Sequence, residues 1–115
     1  MTFEEFVPKK APPARDPMIS ILKQGSFGIN GSAAARYFKD AEFVVMLYDK
    51  EGKRIGLRPV KEPTPNSYPL RRSKKGNSLQ ITGQKFLRHY EIAHPETKRY
   101  PCEWLEKENL VVVEL

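Results

Sequence analysis

The side chains best suited to chemistry in this chain are cationic. Between Pro63 and Tyr90 stand Arg71, Arg72, Lys74, Lys75, Lys85 and Arg88 with no aspartate or glutamate, a charge equal to the net +6 of the whole chain. Such a cluster attracts polyanions, because each cation that neutralises a phosphate releases a condensed counterion. A solvated linker in a basic protein has the same composition, so the bland reading stays open beside the nucleic-acid one. The aromatic side chains Tyr37, Tyr48, Tyr100 and Trp104 offer a second chemistry, stacking on unpaired bases, although rings at such positions more often belong to a core. Tyr48, beside a turn, and Tyr68, in the basic stretch, are the most accessible of this type.

Catalytic arrangements are not expected. His89 and His94 are the only histidines; His89 falls on a short predicted helix with Lys85 and Arg88, and neither has a second ligand at metal-binding spacing. Glu91 and Glu96 near His94 would hold a cation only weakly. Cys102 is the single cysteine, which rules out an intrachain disulfide or a thiolate cluster within one chain. It lies in an apolar strand beside Trp104, where a thiol acts as a small buried hydrophobe. The carboxylates of Asp49-Lys50-Glu51 and Glu106-Lys107-Glu108 fall in predicted hairpin turns, where exposure keeps them ionised and unfit as a buried acid–base pair. No glycine-rich phosphate loop of recognised spacing occurs. The expectation is a non-enzyme with no catalytic residue, metal or cofactor.

Composition and pattern predict which elements position these groups. Residues 1–17 hold Pro8, Pro12, Pro13 and Pro17 among charges and read as an extended N-terminal arm, whose Phe3 and Phe6 could dock on a protein partner. Met18 to Leu22 reads as a short strand and Lys23-Gln24-Gly25 as a turn into Ser26-Phe27-Gly28-Ile29. Asn30 or Ser32 suits the cap of a two-turn helix starting in Ala33-Ala34-Ala35. Phe43 to Tyr48 and Arg54 to Arg58 form a hairpin around Asp49-Lys50-Glu51-Gly52, with Gly52 at the position of positive φ. Residues 61–77, proline-rich and basic, read as a linker without a regular core element. The longest apolar run, Phe43 to Tyr48, is six residues, against roughly 20 for a membrane span. With Glu4 and Glu5 in place of a signal region, a cytoplasmic protein without membrane association is expected.

The chain also resembles itself. At an offset of 52, Ser26 matches Ser78, Ile29 Ile81, Asn30 Thr82, Gly31 Gly83, Arg36 Arg88 and Phe38 Tyr90. Phe27 then faces Leu79, Ala34 faces Phe86 and Ala35 faces Leu87, so the two helices are expected to bury equivalent faces. After five inserted residues around His94-Pro95-Glu96-Thr97 the offset becomes 57, matching Phe43 with Tyr100, Val45 with Cys102, Leu47 with Trp104 and Gly52 with Asn109. One further insertion matches Ile55 and Leu57 with Val113 and Leu115. Asparagine readily takes the left-handed conformation such a turn needs. Residues 18–60 and 78–115 therefore read as two tandem strand–helix–hairpin repeats. Each is too small to be stable alone, so residues 18–115 should share one core. The expected class is α+β, mainly β: one pseudo-twofold, β-rich, barrel-like domain.

The order Gly25 to Asn30, short helix, Phe43 to Asp49, Gly52, then Arg54 to Pro59 resembles the swapped-hairpin unit of AbrB and MraZ type transcription factors, and in the MraZ type two units sit in one chain. The resemblance covers about two thirds of the protein and rests on element order and apolar pattern. The usual Gly-Arg and Ile-Pro of the family are Gly25-Ser26 and Ile29-Asn30 here. The resemblance implies a DNA-binding β-barrel, usually oligomeric, whose basic loops approach the major groove. Lys23 and Gln24 match a DNA-facing position of the family, and Lys74 and Lys75 precede the second copy similarly. The leading expectation is a small DNA-binding transcriptional regulator, its interface drawn from Lys23, Gln24, Arg71, Arg72, Lys74, Lys75, Lys85 and Arg88. The alternatives are a protein-interaction module working through the arm, and a single-stranded nucleic-acid binder.

Overall fold

A computed structural model describes residues 16–72 and 77–115. The order is β1 (Met18–Ile21), β2 (Ser26–Ile29), α1 (Gly31–Tyr37), β3 (Phe43–Asp49), β4 (Arg54–Val60), β5 (Ser67–Pro69), β6 (Arg71–Arg72), β7 (Leu79–Thr82), α2 (Gln84–His89), β8 (Lys98–Leu105) and β9 (Leu110–Glu114). Strands alternate short runs of β-branched and aromatic residues with buried and open sides, and the two helices are too short to persist without packing on them. Among the described residues no helix is long and apolar enough to cross a membrane.

The nine strands form one antiparallel, barrel-like sheet in the order β5-β3-β4-β9-β8-β1-β2-β7-β6. Its two ends, β5 and β6, are successive pieces of Ser67–Arg72 separated by Leu70, so the sheet nearly closes on itself. The expectation of no regular core element in residues 61–77 is therefore corrected for Ser67–Arg72, whose Tyr68 and Leu70 pack against the core. Tyr68 pairs with Val44 on one side, while Arg71 pairs with Gln80 on the other. Pro65 precedes this segment and Pro69 ends β5 opposite Phe43, positions at a strand end or bend where a missing N–H is tolerated, so proline content marked the ends of pairing and not its absence. β8 turns the opposite corner, pairing with β1 through Lys98–Pro101 and with β9 through Cys102–Leu105.

The core fills the inside of this sheet. Ile19, Ile21, Phe27, Ile29, Ile55, Leu57, Ile81, Leu87, Val111 and Val113 are buried and draw on both halves of the chain. Asn30 sets the entry to α1: its Oδ1 accepts from the Ala33 amide at 2.9 Å and the Met18 amide at 3.1 Å, and its Nδ2 donates to the Asp16 carbonyl at 3.0 Å. One short side chain thus caps the helix and ties it to the start of β1.

Several of the residue matches expected from the sequence do not share the same burial or conformation. The caps of α1 and α2 are Asn30 and Gly83; Ala33 and Ala34 are buried in α1 and Phe86 and Leu87 in α2, while Ala35, expected to match Leu87, is exposed. On β3 the inward side is Val44, Met46 and Tyr48 and not Val45 and Leu47, because Val44 is the fully buried residue. Leu115, matched earlier with buried Leu57, is 41% exposed. Positive φ falls on Lys53 and not on Gly52. At Gly52 the amide donates to Asp49 Oδ1 at 3.1 Å, and a Cβ would stand 2.7 Å from Asp49 Oδ2, so a side chain there would displace that carboxylate. Asn109 does adopt the left-handed conformation, φ 51° and ψ 54°.

Candidate nucleic-acid interface

The outward side of the β8-β1-β2-β7-β6 half of the sheet carries the site. Burial alternates along β1, β2 and β7, turning Ile19, Ile21, Phe27, Ile29, Leu79 and Ile81 inward and Ser20, Gly28 and Gln80 outward. Register then aligns one residue from each of five strands. Arg99 pairs with Ser20, Ser20 with Gly28, Gly28 with Gln80, and Gln80 with Arg71. Directly paired residues project from the same side of a sheet. The result is a row with a guanidinium at each end, small side chains on its floor, one amide between them and no carboxylate.

Because Ser20 and Gly28 are small, the middle of the row is hollow. A cavity of about 360 Å³ lies there, bordered among others by Ser20, Gly28, Asn30, Gln80, Thr97 and Arg99. Four strand spacings separate the terminal arginines, about 19 Å along the sheet. Guanidinium groups suit phosphate because their fork of N–H donors matches two oxygens at once.

The β1–β2 turn stands at one end of this face. Gly25 adopts φ +97°, its amide donates to the Leu22 carbonyl at 2.9 Å, and Lys23 and Gln24 project exposed from the tip. Such a φ is one that glycine takes without a Cβ clash. The Gly25 carbonyl accepts from the Gly83 amide at 3.1 Å, so the turn touches the start of α2.

The expected interface residues divide accordingly. Arg71 belongs to the row, and Lys23 and Gln24 lie on the turn that joins two of its strands, β1 and β2. Arg72 is exposed but pairs with the inward-facing Leu79, which places it on the other side of its strand. Lys85 and Arg88 lie on the exposed side of α2, opposite buried Phe86 and Leu87, and outside the row. Lys74 and Lys75 fall outside the described residues, as does the arm through residue 15. Sequence reasoning missed Arg99, Ser20, Gly28 and Gln80. The only local signal for Arg99 was the Lys98-Arg99 pair, which stands close to Glu96 and outside the acid-free stretch.

The other candidate groups have structural roles. Tyr37 stacks on Trp104 with ring centroids 5.3 Å apart and an interplanar angle of 7°. Tyr48 packs against Tyr90 at 4.8 Å and edge-on to Phe86 at 6.3 Å. Each ring of these groups spends contact area on a neighbour, where a base platform needs it free. Asp49 binds Arg54 at 2.8 Å, and this hydrogen bond, helped by the Gly52 amide, holds its carboxyl below the usual carboxylate range. Among the described residues no three of His, Cys, Asp and Glu come together in a geometry for a metal ion.

Cys102 is buried, and desolvation pushes its thiol up to about 11 against the opposing pull of Arg36. The folded state therefore holds the thiol proton more tightly than the unfolded chain. The stability this confers should be complete below about pH 9 and be lost as pH rises towards 11. Urea unfolding between pH 8 and 11 should show that loss, and Cys102→Ala should flatten it.

Comparison with known proteins finds no matching family model, no similar curated protein and no similar solved structure.

Proposed function

We propose that this protein binds nucleic acid through the outer face of β8-β1-β2-β7-β6, as a duplex DNA-binding regulator of the AbrB and MraZ type built from two fused swapped-hairpin units. The row Arg71–Gln80–Gly28–Ser20–Arg99 carries the reading. It offers two bidentate phosphate donors across a hollow, uncharged floor, with Lys23 at its margin. Phosphate contacts of this kind set affinity and register without reading sequence, whereas Gln24 and Gln80 are the amides able to address base edges.

The fused-unit part of the proposal draws support from strand pairing. β2 lies antiparallel to β7, and β4 lies antiparallel to β9. These are the partners a twofold relation between residues 18–60 and the later half requires. Ser67–Arg72 then corresponds to β1, since it pairs with β3 and β7 as β1 pairs with β8 and β2. Burial favours an offset of 52 through the strands, 53 through the helices and 56 through the hairpins, where Ile55 and Leu57 meet Val111 and Val113. The five-residue insertion expected from sequence becomes one residue before α2 and three after it.

Duplex DNA affinity measured by fluorescence anisotropy over a salt series tests the function. Replacing Arg71 and Arg99 together by alanine should reduce the log–log salt slope by about 1.8, at roughly 0.9 per phosphate contact. Absence of any duplex binding at low salt would overturn the proposal.

A further inference from the structure

The connection from α2 to β8, Tyr90 to Thr97, is three residues longer than the connection from α1 to β3, Phe38 to Glu42. Its tip contributes little to the core, for Ala93, Pro95, Glu96 and Thr97 are exposed and only His94 is half-buried. The amides of Tyr90, Glu91 and Ile92 close the end of α2, whereas the described hydrogen bonds of residues 93–97 go to a single residue of the β1–β2 turn. The Lys23 amide donates to Thr97 Oγ1 at 3.0 Å, and His94 Nδ1 donates to the Lys23 carbonyl at 3.0 Å. A carbonyl oxygen can only accept, so the Nδ1 of His94 carries a proton in this arrangement. Both backbone groups of one exposed residue are therefore engaged by side chains 74 and 71 positions away.

We propose that residues 93–97 are a clamp that pre-shapes the Lys23–Gln24 turn, with His94 and Thr97 as positioning residues for the nucleic-acid interface. This rests on the reading of that turn as DNA-facing. A hairpin tip free to rock must be ordered when it meets a ligand, and the ordering subtracts from affinity. With Lys23 pinned at both its amide and its carbonyl, and with Gly25 held by the Gly83 amide, most of that ordering is complete before binding. Thr97 also borders the cavity in the row and immediately precedes β8, so the residue that fixes the turn fixes it relative to Arg99, two residues further along the chain.

The full chain carrying Thr97→Val, His94→Ala, Thr97→Ser or Lys23→Ala tests this with two readouts, amide exchange at Lys23 followed by NMR and duplex affinity over a salt series. Thr97→Val removes the acceptor at nearly constant volume. It should speed exchange of the Lys23 amide at least tenfold and weaken duplex binding about fivefold, with the salt slope unchanged because the same phosphates are neutralised. His94→Ala should weaken binding similarly, and Thr97→Ser, which keeps the hydroxyl, should restore both readouts. Lys23→Ala should instead lower the slope by about one. Unchanged Lys23 exchange in Thr97→Val overturns the clamp, and faster exchange with unaltered affinity overturns the positioning role. A wild-type chain that does not bind DNA overturns the interface reading and the positioning role with it, while amide exchange still decides the clamp.

Discussion

Replacing Gly28 by glutamate is expected to weaken duplex DNA binding roughly 100-fold while leaving the fold intact. Gly28 is the central member of the five-strand row, between Ser20 and Gln80. Its φ is not positive, and a Cβ there would stand 3.6 Å from Leu22 Cδ1 and 3.7 Å from Ser20 Cβ, both ordinary contacts. A longer side chain can leave the strand towards solvent, so the substitution should not disturb the core. Its carboxylate would lie in the hollow between Arg71 and Arg99, where it repels a phosphate and offers each arginine a competing partner. A juxtaposed like charge costs several kcal/mol at a binding face, and about 2.7 kcal/mol corresponds to 100-fold. Gly28→Gln adds nearly the same volume without charge and should weaken binding less. Equal losses in both variants would mean that the hollow acts through shape alone, and wild-type affinity in Gly28→Glu would remove the row from the interface.

The largest effect on stability is expected for Phe27→Ala, about 4 kcal/mol. Phe27 is fully buried, pairs with Ile81 across the β2–β7 contact, and meets the Phe86 ring edge-on at 6.3 Å. Its ring also lies against Gly83, where a Cβ would overlap it. A ring packed between two strands and the start of α2 has no neighbour that can move into its place, and phenylalanine truncations in such sites cost about 3–5 kcal/mol. A domain of this size has about 5–15 kcal/mol in total, so the variant should approach the threshold of folding. Urea denaturation gives the measurement, with Leu115→Ala as the contrast: Leu115 is 41% exposed and its truncation should be close to neutral. A loss below about 1 kcal/mol for Phe27→Ala would mean that the β2–β7 contact is not a central part of the core.

The elements of the fold were legible because their signals are local. Alternation in Arg54 to Arg58, the capping oxygen of Asn30 and the left-handed tolerance of Asn109 each act within a few residues, and each element lies where those signals put it. Ser67–Arg72 was not legible. Its strand character comes from the neighbours it finds, Phe43–Val45 and Leu79–Gln80, and its own composition of proline and arginine argues for a loop. The candidate row was half legible for a related reason. Charge clustering along the chain pointed to Arg71, but the residues that complete the row come from four other strands, and only register brings Arg99 level with it. The matches expected between the halves differ by a residue or two from those proposed from burial, because inserted residues can be placed anywhere in a turn unless burial is known.

The place of β9 in the sheet has a consequence for how the chain reaches this structure. Leu110–Glu114 lies between β4 and β8, in the interior of the strand order, and β1 waits for β8 as its second neighbour. During synthesis the residues up to 60 emerge with β1, β2, β3 and β4 each lacking a lateral partner, and the barrel can close only after residue 114 has left the ribosome. Pairings of such long sequence separation fold slowly, and the unpaired edges stay open to other chains in the interval. Crowded nascent chains of this protein are thus most vulnerable to exchanging strands with one another just before the last five-residue strand is inserted.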